Sequence, residues 1–204
     1  MGEFRLVCRA EVGLSTYQDL EDYVIEDAGE IRYHGDEDEG PEPSPLKVGE
    51  FKVQRVLGSL AQEAGEDIFE VCDAASQELH EACYTLFSLK TRQPRKWIQD
   101  VYGAYTSDFL LIESIVLDPK WRGLKVGLLV LRRLIDLFAP SEAMVVCQPF
   151  AFGAANEEQW REGTVKLRRY VRRLGFRRLR RSRFYGLSTA NVIPTAVEVL
   201  RGAR

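Results

Sequence analysis

The segment that can do chemistry most directly is a glycine-containing turn, DPKWRGLKVGLL, over residues 118–129. The apolar run from Phe109 to Leu117 before it predicts a strand buried on both faces, and the apolar segment from Gly127 to Phe138 after it predicts a helix. The first amides of a helix have no intrahelical acceptor and carry the positive end of the helix dipole. Arg122 and Lys125 add positive charge, so the turn predicts a phosphate or pyrophosphate site.

Glu113 is the second candidate, because a carboxylate is out of place inside an apolar run. On a regular strand it shares a face with Leu111 and Ile115, where desolvation would make the carboxylate a stronger base. This interpretation makes Glu113 a general base. The alternative is a glutamate that pairs with an arginine for structural reasons, and the sequence favours neither.

The elements that must position these residues follow from the apolar pattern. Strands are predicted over residues 4–12, 30–33, 48–56, 109–117, 143–147, 176–179 and 183–187. Besides the segment after the turn, helices are predicted over residues 79–86, with Asp73 as the N-cap, and over residues 164–174, with Thr164 as the N-cap. This order indicates an α/β or α+β fold with a mixed sheet.

The turn resembles the acyl-CoA-binding motif of the GNAT superfamily of N-acetyltransferases, which is written Arg/Gln-x-x-Gly-x-Gly/Ala. Arg122 stands at its first position, Gly127 at its last, and Lys125 at its middle glycine. Pro119 and Trp121 also stand where the family commonly has a proline and an aromatic residue.

A second segment, TVKLRRYVRRLGF at residues 164–176, is similar to the second motif of this family, Asn-x-x-Ala-x-x-x-Tyr-x-x-x-Gly-Phe. The closing Gly-Phe pair matches, and Thr164 stands at the asparagine position. Val171 stands at the tyrosine position, with Tyr170 one residue earlier. The resemblance covers about residues 105–190.

The resemblance implies one GNAT-like domain over residues 1–204. Its central sheet would be mixed and mostly antiparallel, flanked by helices, and splayed between the fourth and fifth strands. Residues 105–190 would bind acyl-CoA, and residues 1–104 would supply the acceptor site. The implied reaction is direct transfer of an acetyl or other acyl group from acetyl-CoA or another acyl-CoA to the amine of a small molecule or a protein, with no metal.

The resemblance also implies roles for individual residues. The residues assigned to acyl-CoA are Ile115, Val116 and Leu117 for pantetheine, Arg122, Gly123, Leu124, Lys125, Val126 and Gly127 for the pyrophosphate, and Thr164. Glu113 would be the general base. Tyr170 would be the general acid, with Tyr185 as an alternative. Because Tyr170 also lies on the apolar stripe of its helix, it could instead be a core tyrosine.

Composition excludes several classes of protein. The chain of 204 residues is 45% hydrophobic and 29% charged, with a net charge of −3, which does not indicate a generally basic nucleic-acid binder. No apolar run approaches the ~18 residues of a membrane span. The first residues lack an apolar segment of signal-peptide length, and the four cysteines form no Cys-x-x-Cys pair. We therefore expect a cytoplasmic protein without membrane contacts, and a homodimer stays open.

Nine arginines lie between Arg168 and Arg183. The favoured interpretation is a solvated helix face that balances the acidic N-terminal half, so nucleic acid is not the expected partner. This segment could also contact the CoA 3′-phosphate or an acidic partner. Two alternative functions remain. One is an inactive GNAT-fold module that binds CoA or has a regulatory role, which Lys125 and the position of Tyr170 support. The other is a polyanion-binding protein that uses residues 168–183.

Overall fold

The computed structural model describes residues 3–10, 19–35, 45–151, 153 and 155–201. A seven-stranded sheet in the order β1-β2-β3-β4-β5-β7-β6 forms its centre. The strands are β1 (Glu3–Ala10), β2 (Val24–His34), β3 (Leu46–Val56), β4 (Phe109–Leu117), β5 (Met144–Cys147), β6 (Arg177–Arg178) and β7 (Tyr185–Ser188). β4 and β5 are parallel and every other neighbouring pair is antiparallel, so the predicted mixed, mostly antiparallel sheet is confirmed.

Helices flank this sheet. They are α1 (Gly58–Glu63), α2 (Ile68–Ala75), α3 (Gln77–Leu86), α4 (Lys96–Tyr102), α5 (Val126–Phe138), α6 (Glu157–Arg172) and α7 (Ala196–Arg201). Short 3-10 turns cover Leu20–Tyr23 and Pro119–Trp121. The first four helices all lie between β3 and β4, and α5 makes the crossover between the parallel strands β4 and β5. Within the described ranges, no helix has both the length and the apolar character needed to cross a membrane.

The sheet separates two hydrophobic cores. Phe109 and Leu111 of β4 belong to the core that α2, α3 and α4 cover, and we call this side the α3 face. Leu110 and Ile112 belong to the core that α5 and α6 cover, which we call the α5 face. Phe109 to Ile112 are buried on both sides, as the near-continuous apolar sequence predicts, whereas Glu113 to Leu117 are partly exposed, so the prediction holds only for the first half of the strand.

β4 carries a β-bulge at Glu113. The β3 ladder pairs with Ser114 and then with Ile112, so no residue of β3 lies opposite Glu113. The extra residue reverses the alternation of the side chains beyond it. Leu111 is part of the α3-face core, but Ile115 packs against the α5-face core. The prediction that Glu113 shares one face with both residues is therefore wrong, because it assumed a regular strand.

Two predicted N-caps are also wrong. α3 begins after Ser76, whose hydroxyl accepts an amide proton from three residues further on at 3.2 Å, and Asp73 lies inside the preceding helix. α6 begins after Asn156, whose side chain accepts an amide proton at 2.9 Å. Thr164 therefore lies in the middle of α6, because the charged residues before it continue the helix instead of forming a loop.

Candidate functional site

β4 extends beyond its parallel neighbour. The two strands pair only from Phe109 with Met144 to Ile112 with Cys147. The next five residues, Glu113 to Leu117, continue beside β3 and past the end of β5, and we call them the open edge of β4. In the part of the chain that the structure describes, no strand pairs with the open edge on its β5 side. Backbone donors and acceptors there can pair with an extended ligand.

The turn after the open edge leads its backbone into α5 through two left-handed residues. Gly123 has a φ of 82° and Lys125, the N-cap of α5, has a φ of 64°. Lys125 thus adopts a conformation that favours glycine, at the position where the resembled motif has one. Its side chain does not cap the helix. Val126 and Gly127 are the first helical residues, so their amides lack intrahelical acceptors and can meet an anion.

Arg122 closes this turn against the strand. Its Nε donates a hydrogen bond to the Leu117 carbonyl oxygen at 2.8 Å. The rest of the guanidinium has further N–H donors on an exposed side chain. Leu124, in the same turn, is exposed. Arg122 therefore fixes the turn and still presents positive charge at its surface.

Tyr170 brings α6 to the same turn. Its hydroxyl accepts the Leu128 amide proton at 2.9 Å. A Cβ placed on Gly127 would lie 3.4 Å from this hydroxyl and 3.6 Å from Leu117 Cδ1. Burial raises the pKa of Tyr170, and the Leu128 N–H and Arg173 only partly offset it. The protonated hydroxyl can therefore donate to a ligand. Tyr170 packs against the core and also contacts the turn.

Tyr185 lies in the row where the pairing of β4 and β5 ends. Ile112 pairs with Cys147, which pairs in turn with Tyr185, and all three belong to the α5-face core. Tyr185 is 2% exposed, and the Arg172 guanidinium lies 5.7 Å from the centre of its ring. Burial raises the pKa of Cys147, so this residue stays a thiol at neutral pH.

The Glu113 carboxylate is held by a lysine. Lys52 Nζ lies 3.1 Å from Glu113 Oε2 and 2.9 Å from Glu26 Oε2. Phe51 and Val53 on either side of Lys52 belong to the α5-face core, so these charges lie on the α3 face. The Glu113 side chain is 32% exposed, so it lacks the dry environment predicted for it, and its partner is not an arginine. Lys52 and Glu26 were not predicted as site residues. The available signal was a lysine inside the alternating apolar pattern of a predicted strand.

A groove on the α3 face lies between α3 and the turn that joins β6 to β7. His80 pairs with Asp73 and stacks on Tyr84 with ring centres 4.6 Å apart. Arg183 from the turn pairs with Glu81 of α3 at 2.9 Å. The groove has a volume of about 470 Å³. These groups could orient a polar molecule on the same side of the sheet as Glu113.

Thr164 lies apart from the turn. It is 2% exposed, and its hydroxyl oxygen accepts the Ala151 amide proton at 3.2 Å. This contact joins α6 to the segment after β5. The structure thus brings Gly127, Leu117 and Tyr170 together, whereas the described contacts of Thr164 lie elsewhere.

The arrangement has three features that can bind a ligand. The open edge of β4 can pair with an extended ligand, the start of α5 can bind an anion, and the Glu113 carboxylate can accept a proton. No group of three His, Cys, Asp or Glu residues in the described ranges is arranged to hold a metal ion. Comparison of the chain with protein-family models, with curated proteins and with solved structures gives no match.

The contacts of Lys52 with Glu26 and Glu113 should make the stability of the protein fall at alkaline pH. Burial acts to lower the pKa of Lys52, but hydrogen bonds to Glu26 and Glu113 outweigh it and raise the pKa. Because the folded pKa exceeds the unfolded value of about 10.4, this stabilisation is complete below that pH and disappears as pH rises through the folded pKa. We expect the difference in free energy of unfolding between wild type and Lys52→Met, measured with urea, to keep its full value at about pH 8 and to be smaller at about pH 12.

Lys90→Met is the control, since Lys90 is an exposed lysine far along the chain from this pair. Its difference from wild type should change little over the same pH range. A Lys52→Met difference that stays constant with pH would mean that the ammonium contacts with Glu26 and Glu113 do not stabilise the folded protein.

Proposed function

We propose that the protein is an N-acyltransferase that transfers an acetyl or other acyl group from acyl-CoA to an amine, in a single GNAT-like domain over residues 1–204. The observation that carries the proposal is the open edge of β4, which leads directly into the amide-rich start of α5. A ligand with an extended, amide-bearing arm joined to a pyrophosphate fits both features. CoA has such an arm in its pantetheine group.

In this proposal the sheet is splayed between β4 and β5, and pantetheine adds to the open edge like a short strand. The Leu117 carbonyl oxygen already accepts from Arg122, so the main pairing falls to Ile115 and Val116. Val116 is 37% exposed, which supports access from solvent.

The pyrophosphate would lie against the amides of residues 123–127, with the charges of Arg122 and Lys125 beside it. The left-handed backbone at Gly123 and Lys125 supports this placement, because such residues turn successive amides toward one side. Tyr170 would add a donor whose position the Leu128 amide fixes. Thr164 would support this pocket only indirectly, through the segment after β5.

The acceptor amine would approach from the α3 face, where Glu113 can take its proton directly or through a water. The amine nitrogen then bonds to the thioester carbonyl carbon, and a backbone N–H near Ile115 or Val116 stabilises the charge on the oxygen. The carbon–sulfur bond breaks, and the thiolate takes a proton from a tyrosine. Lys52 orients the Glu113 carboxylate, and the groove beside α3 lies on the same face of the sheet.

The two tyrosines lie toward opposite ends of the open edge. Tyr170 contacts the turn after Leu117, whereas Tyr185 lies in the row of Ile112, before Glu113. With the pyrophosphate at the turn, the thioester lies toward Glu113. We therefore assign proton donation to Tyr185 and a cofactor contact to Tyr170.

Phenylalanine substitutions separate these roles. Tyr170→Phe should raise the KM for acyl-CoA roughly 10-fold, because one hydrogen bond to a charged group is lost, and leave kcat within a few-fold. Tyr185→Phe should lower kcat about 100-fold with little change in KM, because the leaving thiolate loses its acid. Steady-state kinetics with saturating amine measures both. The reverse pattern would exchange the two assignments.

Titration calorimetry with acetyl-CoA and with CoA, followed by thiol release with a panel of amines, tests the proposed function. Saturable binding followed by turnover supports an acyltransferase. Binding of CoA without turnover of any amine would favour the inactive module. The presence of Lys125 at the middle glycine position of the motif also supports that alternative. A folded protein that binds neither ligand would overturn the proposal.

A further inference from the structure

The charge of this protein is divided between one short segment and the rest of the chain. Residues 163–197 contain ten basic residues and no acidic one. The other 18 basic residues accompany 31 acidic residues, so the rest of the chain has a formal charge of −13. A division this strong creates a directional field that attracts polyanions to one part of the surface and repels them from the rest.

Most basic side chains of this segment form no ion pair among the described contacts, and its one lysine, Lys166, lies 3.6 Å from Glu162. Of its nine arginines, Arg183 is the one with a carboxylate partner among the described contacts, at 2.9 Å from Glu81. The first half of α6 is different, because Arg161 pairs with Glu157 at 2.6 Å. The arginines therefore do not balance the acidic half of the chain through local pairs, as a solvated, salt-bridged helix face would.

These arginines surround the outer edge of the sheet. Phe176 before β6 lies in the α5-face core and Leu179 after it lies in the α3-face core, so Arg177 and Arg178 point to opposite faces. Arg172 and Arg173 end α6 on one side, and Arg180 and Arg181 turn the chain on the other. We call these six residues the basic edge, and all six are exposed.

Aromatic rings hold two of these guanidinium groups in place. Arg180 lies 4.7 Å from the centre of the Trp97 ring, and Arg172 lies 5.7 Å from that of Tyr185. Stacking leaves the N–H groups at the guanidinium rim free to point outward. Such planar, pre-oriented forks match phosphate oxygens better than flexible lysines do, and arginine outnumbers lysine nine to one in this segment.

We propose that the basic edge binds the phosphate backbone of a nucleic acid. A chain of regularly spaced phosphates can reach guanidinium groups on both faces of β6, which a single phosphate cannot. The acidic remainder of the surface would keep the nucleic acid on this edge. β5 and β7 separate β6 from β4 in the sheet, so Arg177 and Arg178 lie two strands away from the open edge, and this binding does not depend on the proposed activity. Arg172 of the basic edge does contact one residue assigned to the acyl-CoA site, Tyr185.

Fluorescence anisotropy of the full chain with labelled probes of about 20 nucleotides, one single-stranded RNA and one duplex DNA, tests this proposal over a range of salt concentrations. We expect saturable binding to at least one probe at about 50 mM salt, with affinity falling linearly on a log–log plot. The triple variant Arg177→Gln, Arg178→Gln, Arg181→Gln should bind at least about 10-fold more weakly, and its salt slope should be smaller by about 2 to 3.

The matched control is Arg32→Gln, Lys47→Gln, Arg161→Gln, which removes the same charge from residues that pair with carboxylates. It should bind within about 2-fold of wild type, since its cations are already neutralised. Circular dichroism and thermal unfolding check the fold of each variant. If the triple variant is unstable, the single variant Arg181→Gln should still reduce the slope by about 0.7 to 0.9.

An equal loss of affinity in the triple variant and in its control would overturn the proposal, because binding would then depend on net charge alone. Absence of saturable binding to both probes at about 50 mM salt would also overturn it. If the protein binds neither probe but binds anionic vesicles, or associates with itself in a salt-sensitive way, the proposal is also overturned.

Discussion

Glu113→Gln is expected to lower the rate of acyl transfer about 1000-fold at neutral pH, within the range typical of a lost general base. Glutamine keeps the size of the side chain and one acceptor for Lys52, but it cannot take a proton from the amine. Steady-state kinetics with acetyl-CoA and the best amine from the panel measures the effect, which should appear in kcat. Calorimetry should show acetyl-CoA bound within a few-fold of wild type.

Glu26→Gln provides the matched control. Glu26 lies 2.9 Å from the same lysine, so this change removes the same charge from the same network. It should lower kcat less than about 10-fold, because Glu26 only helps to position Lys52 and does not meet the amine. If both variants lost activity equally, or if Glu113→Gln remained fully active, Glu113 would be a structural partner of Lys52.

A large side chain at position 127 should abolish acyl-CoA binding while the protein stays folded. A Cβ there would lie 3.4 Å from the Tyr170 hydroxyl and 3.6 Å from Leu117, so alanine fits within ordinary contact. Alanine also favours the helix by up to about 1 kcal/mol over glycine, so Gly127→Ala should unfold at the same or a higher temperature. The leucine side chain of Gly127→Leu, by contrast, must displace Tyr170 or cover the first amides of α5.

We expect calorimetry to show affinity for acetyl-CoA within about 3-fold of wild type in Gly127→Ala, because the resembled motif accepts alanine at this position. Gly127→Leu should lose more than about 100-fold, as amide hydrogen bonds to a charged group are lost. Near-ultraviolet circular dichroism verifies the packing of each variant. Unchanged affinity in a folded Gly127→Leu would place the ligand elsewhere on the molecule.

The strand and helix on either side of the turn could be predicted from sequence because both are buried. A nine-residue run with seven apolar residues has few alternatives to a central strand, and β4 has the bounds predicted for it. α5 begins one residue before the predicted Gly127, and Pro140 follows its end. Burial made the residue pattern specific in both elements.

The bulge at Glu113 could not be predicted, because it depends on the register between β4 and a distant strand. Nothing in the β4 sequence FLLIESIVL indicates which of its residues has no partner in β3. The same register decides that Lys52, and not an arginine, meets the carboxylate. Sequence patterns describe one strand at a time, whereas the site is formed by two.

Polar and short elements were predicted least well. β2 runs from Val24 to His34 instead of only over residues 30–33, because its charged residues pair across strands, as Glu26 does with Lys52. The predicted strand over residues 4–12 is observed to Ala10, and residues 11 and 12 lie outside the described ranges. α1, α2, α4 and α7 were not predicted, since each has only six to eight residues.

The placement of α1 to α4 between β3 and β4 has a consequence for how the chain folds. β1, β2 and β3 form local hairpins, whereas β4 meets β3 only after residues 57–108 have been gathered into a closed loop. Closing a loop of that length costs chain entropy before any contact compensates for it, so distant pairings form slowly. We therefore expect docking of β4 to be a late step, and the same step creates the open edge, the bulge and the start of α5. A ligand that binds there would select fully folded molecules over partly folded ones.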